Sequence, residues 1–266
     1  MSTSEVEIGA GNHVLTVTFN RPDQRNAMTW GMYRALEQAC DRADSDGDIR
    51  VMVLRGAGGR AFVAGTDISQ FAGFSTGQDG VDYERRVTEV LDRLQAVTIP
   101  TVASIDGYCV GGGLAIACAV DLRVATPRAK FGAPIARTLG NCLSVATLDL
   151  LVQHLGRSRT IALLLTAELM SAEEARSAGF LVALADDLEE ATEAITDRIL
   201  AHAPLSMWAS KEGLRRLHRQ GPDADMTDIV SRVYGSADFH NAVKAFTAKR
   251  APSWNDHRDA TTSERR

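Results

Sequence analysis

Three consecutive glycines, Gly111-Gly112-Gly113, precede the apolar helical stretch LAIACA, and they constrain the fold more than any other feature of this chain. The first turn of a helix leaves several backbone N–H groups without partners inside the helix. The helix dipole favours negative charge at the same place. Because glycine has no Cβ, another group can approach this backbone closely. The run therefore predicts either a backbone site for a negatively polarised atom or a tight contact between a strand and a helix.

A second glycine-marked turn, Ala64-Gly65, lies in the segment AFVAGTDI. Short strands and helices alternate on both sides of the two turns, and this alternation predicts an α/β architecture. Strands are predicted at 13–19, 50–55, 101–105, 122–126 and 129–131. Helices are predicted from Thr29 to about Ala43 and from about Tyr83 to Ala96. Residues 72–82 are rich in Gly, Ser and Asp, which predicts a mobile loop.

The last part of the chain is predicted to be helical. Apolar residues recur at helical spacing in four segments, 188–202, 204–217, 226–234 and 239–249. We therefore predict a core domain over residues 1–203 and a C-terminal helical region over residues 204–266. Residues 255–266 are polar enough to predict a disordered tail.

Composition excludes several classes of function. The chain has 29 basic and 34 acidic residues, a net charge of −5, which does not favour a general nucleic-acid binder. No apolar run is long enough to span a bilayer, and the N-terminus has no signal pattern. We therefore expect a cytoplasmic protein without membrane association. The cysteines, at 40, 109, 118 and 142, have no CxxC spacing, which predicts free thiols and no metal site.

Five segments in this order resemble the crotonase superfamily, also called the enoyl-CoA hydratase/isomerase family, and together they cover most of the chain. They are NRPDQRNAM at 20–28, AFVAGTDI at 61–68, IDGYCVGGGLAIACAVDLRVAT at 105–126, LGRSRTIALLLTAELMSAEEARSAGFL at 155–181 and FHNAVKAFTAKRAPSWNDH at 239–257. The resemblance implies an enzyme that acts on an acyl-CoA thioester. It also implies a spiral of ββα units with a C-terminal helical trimerisation region, and homotrimers that often pair into hexamers.

The resemblance assigns roles to particular residues. The backbone N–H groups of Ala64 and Gly112 would polarise the thioester carbonyl as an oxyanion hole. The coenzyme A moiety would contact Gln24, Arg25, Asn26, Ala27, Ala61, Val63, Ala64, Asp67, Ile68 and Gly112. Lys249 would reach its phosphates, for which an ammonium group is a suitable partner. No cofactor beyond the coenzyme A moiety of the substrate is implied.

The sequence departs from the family's hydratase pattern at both catalytic glutamates. Their positions hold Ala115 and Ile135, neither of which can transfer a proton. Hydration is therefore disfavoured, and so is the simplest isomerase mechanism, which in this family usually relies on a base at the position of Ile135. Decarboxylation is attractive because the oxyanion hole alone stabilises the product enolate. Isomerisation, thioester hydrolysis and a non-catalytic acyl-CoA-binding or scaffolding subunit stay open. Candidates for the missing proton-transfer group are Arg137, Cys142 and Asp67, followed by Tyr83, Glu84 and Glu89 on the helix that borders the acyl pocket in this family. Arg137 can bind a carboxylate but cannot act as a base.

Overall fold

The computed structural model of the chain describes residues 4–254. The tail predicted at 255–266 lies outside the described residues. The strands are β1 Val6–Gly11, β2 Val14–Phe19, β3 Val51–Gly56, β4 Ala61–Ala64, β5 Thr101–Ile105, β6 Tyr108–Val110, β7 Leu122–Ala125, β8 Lys130–Gly132, β9 Met170–Ser171 and β10 Ala183–Leu184. The α-helices are α1 Trp30–Ser45, α2 Gly77–Gln95, α3 Gly112–Ala119, α4 Val145–Leu155, α5 Arg157–Thr166, α6 Ala172–Ser177, α7 Leu188–Leu200, α8 Pro204–Gln220, α9 Thr227–Tyr234 and α10 Ala237–Thr247.

The strands form two sheets, and the chain alternates between them. One sheet has the order β1-β2-β3-β5-β7-β10 and the other has the order β4-β6-β8-β9. Within each sheet the pairs are parallel, except β1 with β2 and β8 with β9. Three times in succession, one strand joins the first sheet, the next joins the second sheet, and a helix follows: β3-β4-α2, β5-β6-α3 and β7-β8-α4. The predicted α/β spiral of ββα units is therefore confirmed.

Helix α3 lies in the core of this spiral. Every residue from Gly113 to Ala119 is buried. A helix that is apolar on all sides is buried on all sides, which agrees with the composition of LAIACA. The helix packs against α2, α4, β4 and β6. Its first turn is therefore held in a fixed place relative to the end of β4.

The predicted start of helix α2 is wrong and strand β1 was missed, and each difference has a local cause. Helix α2 begins at Gly77 rather than at Tyr83, because Thr76 and Asp79 form a capping box that starts the helix within the predicted mobile loop. The edge strand β1 was not predicted. It carries few buried side chains and two glycines, and it is held by antiparallel pairing with β2 rather than by apolar alternation.

The C-terminal helices begin within two residues of their predicted starts: α7 and α8 begin as predicted, α9 begins one residue later, and α10 begins two residues earlier. Pro204 occupies the first position of α8, where its missing N–H costs nothing. Lys211 of α8 forms an ion pair with Asp121 and donates to the Ile99 carbonyl at 2.7 Å, which holds this helix on the core. The division into domains at residue 204 stays a prediction, and so does the role of these helices in trimerisation.

Candidate active site

The two glycine-marked turns meet in space at the ends of paired strands. Ala64 of β4 and Val110 of β6 are partners in a parallel pair. Gly65 and Gly111, which follow them, have φ values of +88° and +56°, in the left-handed region that favours glycine. A Cβ on Gly111 would lie 3.4 Å from the Gly65 Cα atom. The backbone of the first turn is therefore in contact with the start of α3.

The three glycines serve both of the roles that the sequence leaves open. A Cβ on Gly113 would lie 2.1 Å from the Val63 carbonyl oxygen, so this glycine permits the tight packing of α3 on β4. A Cβ on Gly112 would lie 2.9 Å from the Tyr33 hydroxyl and 3.5 Å from the Thr66 hydroxyl oxygen. Gly112 also lines a cavity of about 210 Å³. This inner cavity is bounded by the end of β4, the start of α3, helix α2 and the segment 134–147.

The backbone N–H groups around the inner cavity divide into occupied and unoccupied donors. The Ala64 N–H donates to the Arg25 carbonyl at 3.1 Å, and the Gly111 N–H donates to the Gly132 carbonyl at 2.9 Å. Within residues 4–254, no acceptor is recorded for the N–H groups of Thr66 and Gly112, and both residues line the cavity. The assignment of Ala64 as a carbonyl-polarising donor is therefore wrong, because its N–H is already occupied.

The orientation of Thr66 follows from its pairing with Met28. The Met28 N–H donates to the Gly65 carbonyl, and the Asp67 N–H donates to the Met28 carbonyl, both at 2.9 Å. These two bonds flank Thr66 and form a parallel bridge. In such a bridge the central residue directs its own N–H away from the partner strand. The Thr66 N–H, two residues after Ala64, therefore points away from Met28.

A chain of three hydroxyl groups lies beside the two unoccupied donors. The Thr66 hydroxyl is 2.9 Å from the Tyr33 hydroxyl and 2.7 Å from the Tyr83 hydroxyl. Burial raises the pKa of both tyrosines above the usual value, so both phenols stay protonated near neutral pH. The ring of Tyr83 packs edge-on against Phe71, with 4.9 Å between ring centroids. The hydroxyl chain therefore joins α1, the turn after β4 and α2.

The inner cavity contains a carboxyl group in spite of the two missing glutamates. Ala115 and Ile135 both line it, as the resemblance implies for those positions, and neither is ionisable. Glu84 of α2 also lines it, partly buried, and its Oε2 atom accepts the Ser144 N–H at 2.7 Å. Burial raises the pKa of Glu84 above the usual value for glutamate. Sequence reasoning ranked Glu84 among the last candidates.

The three preferred replacement candidates, Asp67, Cys142 and Arg137, do not line the inner cavity. Asp67 forms an ion pair with Arg21 at 2.8 Å and caps the short 3-10 helix that follows it. The Ser69 hydroxyl and Arg21 hold the pKa of Asp67 below its usual value, and a catalytic role for Asp67 stays a prediction. Cys142 is exposed and borders a second space of about 790 Å³, the outer chamber, which shares Glu84 and Tyr83 with the inner cavity. Arg137 is exposed on the turn after Pro134 and lines neither the inner cavity nor the outer chamber.

The residues predicted to contact coenzyme A fall into a buried group and a solvent-accessible group. Asn26, Ala61 and Val63 are at most 1% exposed, so the prediction that they contact a ligand is wrong. Asn26 instead donates to the carbonyls of Ala57 and Ala61, at 3.0 and 2.7 Å. These two hydrogen bonds stabilise the turn between β3 and β4. The remaining contacts stay predictions, because all of these residues are at least partly exposed: Gln24, Arg25, Ala27, Ala64, Asp67, Ile68, Gly112 and Lys249.

Comparison with known proteins decides the family. The sequence model described as Enoyl-CoA hydratase/isomerase matches residues 9–257. The chain belongs to this family. An enoyl-CoA hydratase of Mycobacterium tuberculosis is 33% identical over 250 residues, 91% of this chain and 93% of that protein. The (E)-benzylidenesuccinyl-CoA hydratase of Thauera aromatica is 34% identical over 255 residues, 94% of this chain and 98% of that protein.

A solved structure agrees with the family and with the fold. The crystal structure of an enoyl-CoA hydratase/carnitine racemase from Magnetospirillum magneticum has a TM-score of 0.89 to this chain at 31% identity, and the match covers 96% of each chain. The crotonase-like fold class and the predicted family are confirmed. As a member of the enoyl-CoA hydratase/isomerase family, the chain is an acyl-CoA-processing enzyme.

Residues 4–254 contain neither a membrane-spanning helix nor a cluster of metal-binding side chains. No helix in this part of the chain is long and apolar enough to cross a membrane. No group of His, Cys, Asp and Glu side chains in the same part is arranged to hold a metal ion. Of the four cysteines, Cys40, Cys109 and Cys118 are buried, and burial raises the pKa of each thiol. These three thiols are therefore poor nucleophiles.

Proposed function

We propose that this enzyme binds an acyl-CoA thioester with its carbonyl oxygen between the N–H groups of Thr66 and Gly112, and that its reaction passes through the thioester enolate. The observation that carries the proposal is the pair of unoccupied N–H donors on one cavity. Two such donors stabilise the negative charge that develops on the oxygen when Cα loses a proton. The start of α3 adds the favourable end of a helix dipole.

The charged groups in the inner cavity favour some of the reactions that the sequence leaves open over others. Decarboxylation requires an acyl group that carries a free carboxylate in addition to its thioester. Among the described residues that line the cavity, Glu84 is the one carboxyl group, and there is no Lys or Arg to receive a carboxylate. A carboxylate held within the inner cavity, next to the reacting carbons, would face the Glu84 carboxyl without a counter-charge, which is unfavourable in a partly dehydrated site. We therefore favour proton transfer at an uncharged acyl chain over decarboxylation.

The coenzyme A moiety is proposed to bind outside the inner cavity. Gln24, Arg25, Ala27 and Ile68 lie near the turn after β4 in sequence or in space and are accessible, and Lys249 is available to the phosphates. The chemistry requires no cofactor beyond this moiety of the substrate, because a side chain and two backbone groups supply the proton transfer and the charge stabilisation.

Exchange of the Cα protons of saturated acyl-CoA thioesters in D₂O tests this function. A saturated chain can form the enolate but cannot undergo hydration or a double-bond shift, so the assay isolates enolate formation. We expect the enzyme to incorporate deuterium at Cα for at least one thioester in a series of increasing acyl bulk, measured by mass spectrometry. A thiol reagent would detect release of free coenzyme A, which marks hydrolysis instead. Binding by calorimetry without exchange in the whole series would favour the non-catalytic scaffold.

We also propose that the C-terminal helices join three copies of the chain. Several large apolar side chains of α8, α9 and α10 are exposed in the single chain, among them Leu214 at 67%, Tyr234 at 60% and Phe246 at 84%. Exposed apolar surface of this kind is typical of a subunit interface. We expect light scattering after gel filtration to give three or six times the chain mass of 28.6 kDa. A monomer would contradict the proposed assembly.

A further inference from the structure

We propose that Glu84 is the catalytic residue that moves the proton in this enzyme, and that the reaction is a 1,3-proton shift in an uncharged enoyl-CoA. This proposal rests on the proposed function, because it needs the enolate held by Thr66 and Gly112. It assigns the proton transfer to helix α2 rather than to the positions of Ala115 and Ile135. No residue at those two positions can take part, although both face the same cavity.

The position of Glu84 is the first support. The residue lines the inner cavity together with Thr66 and Gly112, and it also borders the outer chamber, into which an acyl chain can extend. The Ser144 N–H donates to one carboxylate oxygen at 2.7 Å. The Ser144 hydroxyl also hydrogen-bonds to this carboxylate. Ser144 thus fixes the side chain of Glu84 at the wall of the cavity.

The segment that holds Glu84 is itself fixed. Ser144 is the N-cap of α4, and its hydroxyl accepts the Thr147 N–H at 3.2 Å. The same hydroxyl is 3.1 Å from the Thr88 hydroxyl, one turn after Glu84 on α2. Two contacts between α2 and the start of α4 therefore position the carboxylate. A proton-transfer group that is held in this way avoids much of the entropic cost of orientation during the reaction.

Environment also distinguishes Glu84 from the other acidic residues of α2. Asp79 caps the helix, and Asp82 forms an ion pair with Arg85 at 2.8 Å. Glu89 is 63% exposed and lies 4.0 Å from Arg85. Glu84 is only partly exposed, and burial raises the pKa of its carboxyl above the usual value. A base with a raised pKa accepts a carbon-bound proton more readily than an ordinary surface carboxylate.

A single carboxylate is sufficient for a 1,3-proton shift. In a β,γ-unsaturated thioester, the Glu84 carboxylate takes a proton from Cα, and the electron pair of that C–H bond moves into the thioester to form a dienolate. Thr66 and Gly112 donate to the enolate oxygen. The protonated Glu84 then returns the proton to Cγ, the double bond moves to Cα–Cβ, and the carboxylate is regenerated. No oxidant, metal or water is consumed. Hydration would need a second group to activate water.

The test compares Glu84→Gln with Asp92→Asn, the same carboxyl-to-amide change on the same helix at a side chain that is 53% exposed and lines neither the inner cavity nor the outer chamber. Glutamine can still accept the Ser144 N–H through its amide oxygen, so the segment 139–144 should keep its position. We expect Glu84→Gln to lose about 10²–10⁴-fold in kcat, both for deuterium exchange at Cα and for isomerisation of a β,γ-enoyl-CoA. Its affinity for a saturated acyl-CoA should stay within a few-fold of the parent. Asp92→Asn should retain both activities.

Glu84→Asp gives a second measurement, because it restores a carboxylate on a shorter side chain. Partial recovery of exchange relative to Glu84→Gln supports proton transfer over a purely structural role. The proposal is overturned if Glu84→Gln exchanges Cα protons as fast as the parent enzyme, or if the parent hydrates crotonyl-CoA as fast as it isomerises a β,γ-enoyl-CoA. If the parent exchanges no thioester, the proposed function fails, and the role of Glu84 fails with it.

Discussion

An enzyme that carries Tyr33→Phe and Gly112→Pro should have a kcat about 10²–10³-fold below that of the matched Tyr33→Phe, Gly112→Ala enzyme. Proline has no N–H, whereas alanine retains it. Both variants add a Cβ at position 112, and Tyr33→Phe removes the hydroxyl that this atom would approach to 2.9 Å. Proline is favoured at the first position of a helix, which Gly112 occupies in α3. The difference between the two enzymes therefore reports the N–H.

The measurement is the rate of deuterium exchange at Cα of a saturated acyl-CoA. Melting temperatures and the affinity for free coenzyme A provide controls for folding and binding. We expect both controls to be similar in the two enzymes. Equal exchange rates in two folded enzymes would show that the Gly112 N–H does not stabilise the enolate, and would refute the proposed oxyanion site.

Arg123→Met is expected to lower the free energy of unfolding by about 3–5 kcal/mol, because each buried acceptor left without a donor costs about 1–3 kcal/mol. Arg123 is 5% exposed. Its guanidinium donates to three backbone carbonyls, those of Phe180 at 2.7 Å, Val120 at 2.8 Å and Ala117 at 3.2 Å. Ala117 lies in the last turn of α3 and Val120 is its C-cap, so the cation satisfies carbonyls that the helix leaves unpaired.

Arg128→Met is the matched control for this substitution. The Arg128 side chain is 67% exposed and forms an ion pair with Asp106 at the surface. An exposed ion pair contributes about 0–1 kcal/mol, so this change should lower stability only slightly. Urea titration measures both variants. Equal midpoints for Arg123→Met and Arg128→Met would contradict the role of Arg123 in closing the end of α3.

Much of the fold could be predicted because its causes are local. Buried parallel strands give short apolar runs such as VMVL in β3, and a helix buried on all sides gives LAIACA in α3. Glycines at 65 and 111 mark turns that need positive φ. The five family motifs lie on these same elements. The spiral of ββα units and the place of Gly112 were therefore within reach of the sequence.

The exact N–H donors and the catalytic carboxylate could not be predicted from the sequence, because both depend on contacts between residues that are distant in sequence. Ala64 and Thr66 flank one glycine, and only the Arg25 carbonyl, 39 positions before Ala64, decides which N–H stays unoccupied. Glu84 enters the cavity at a site where the Ser144 N–H, 60 positions later, holds its carboxylate. No periodicity or motif in one chain records a pairing of this kind.

Burial of α3 has a further consequence for the energetics of the reaction. In water, solvent dipoles must reorient as the carbonyl oxygen becomes negative, and that reorientation is part of the barrier. Here the responding dipole is the start of a helix enclosed by other elements and satisfied by Arg123 at its far end. It points toward the oxygen before any charge develops. The reorganisation energy is thus supplied during folding, once, instead of in every catalytic cycle.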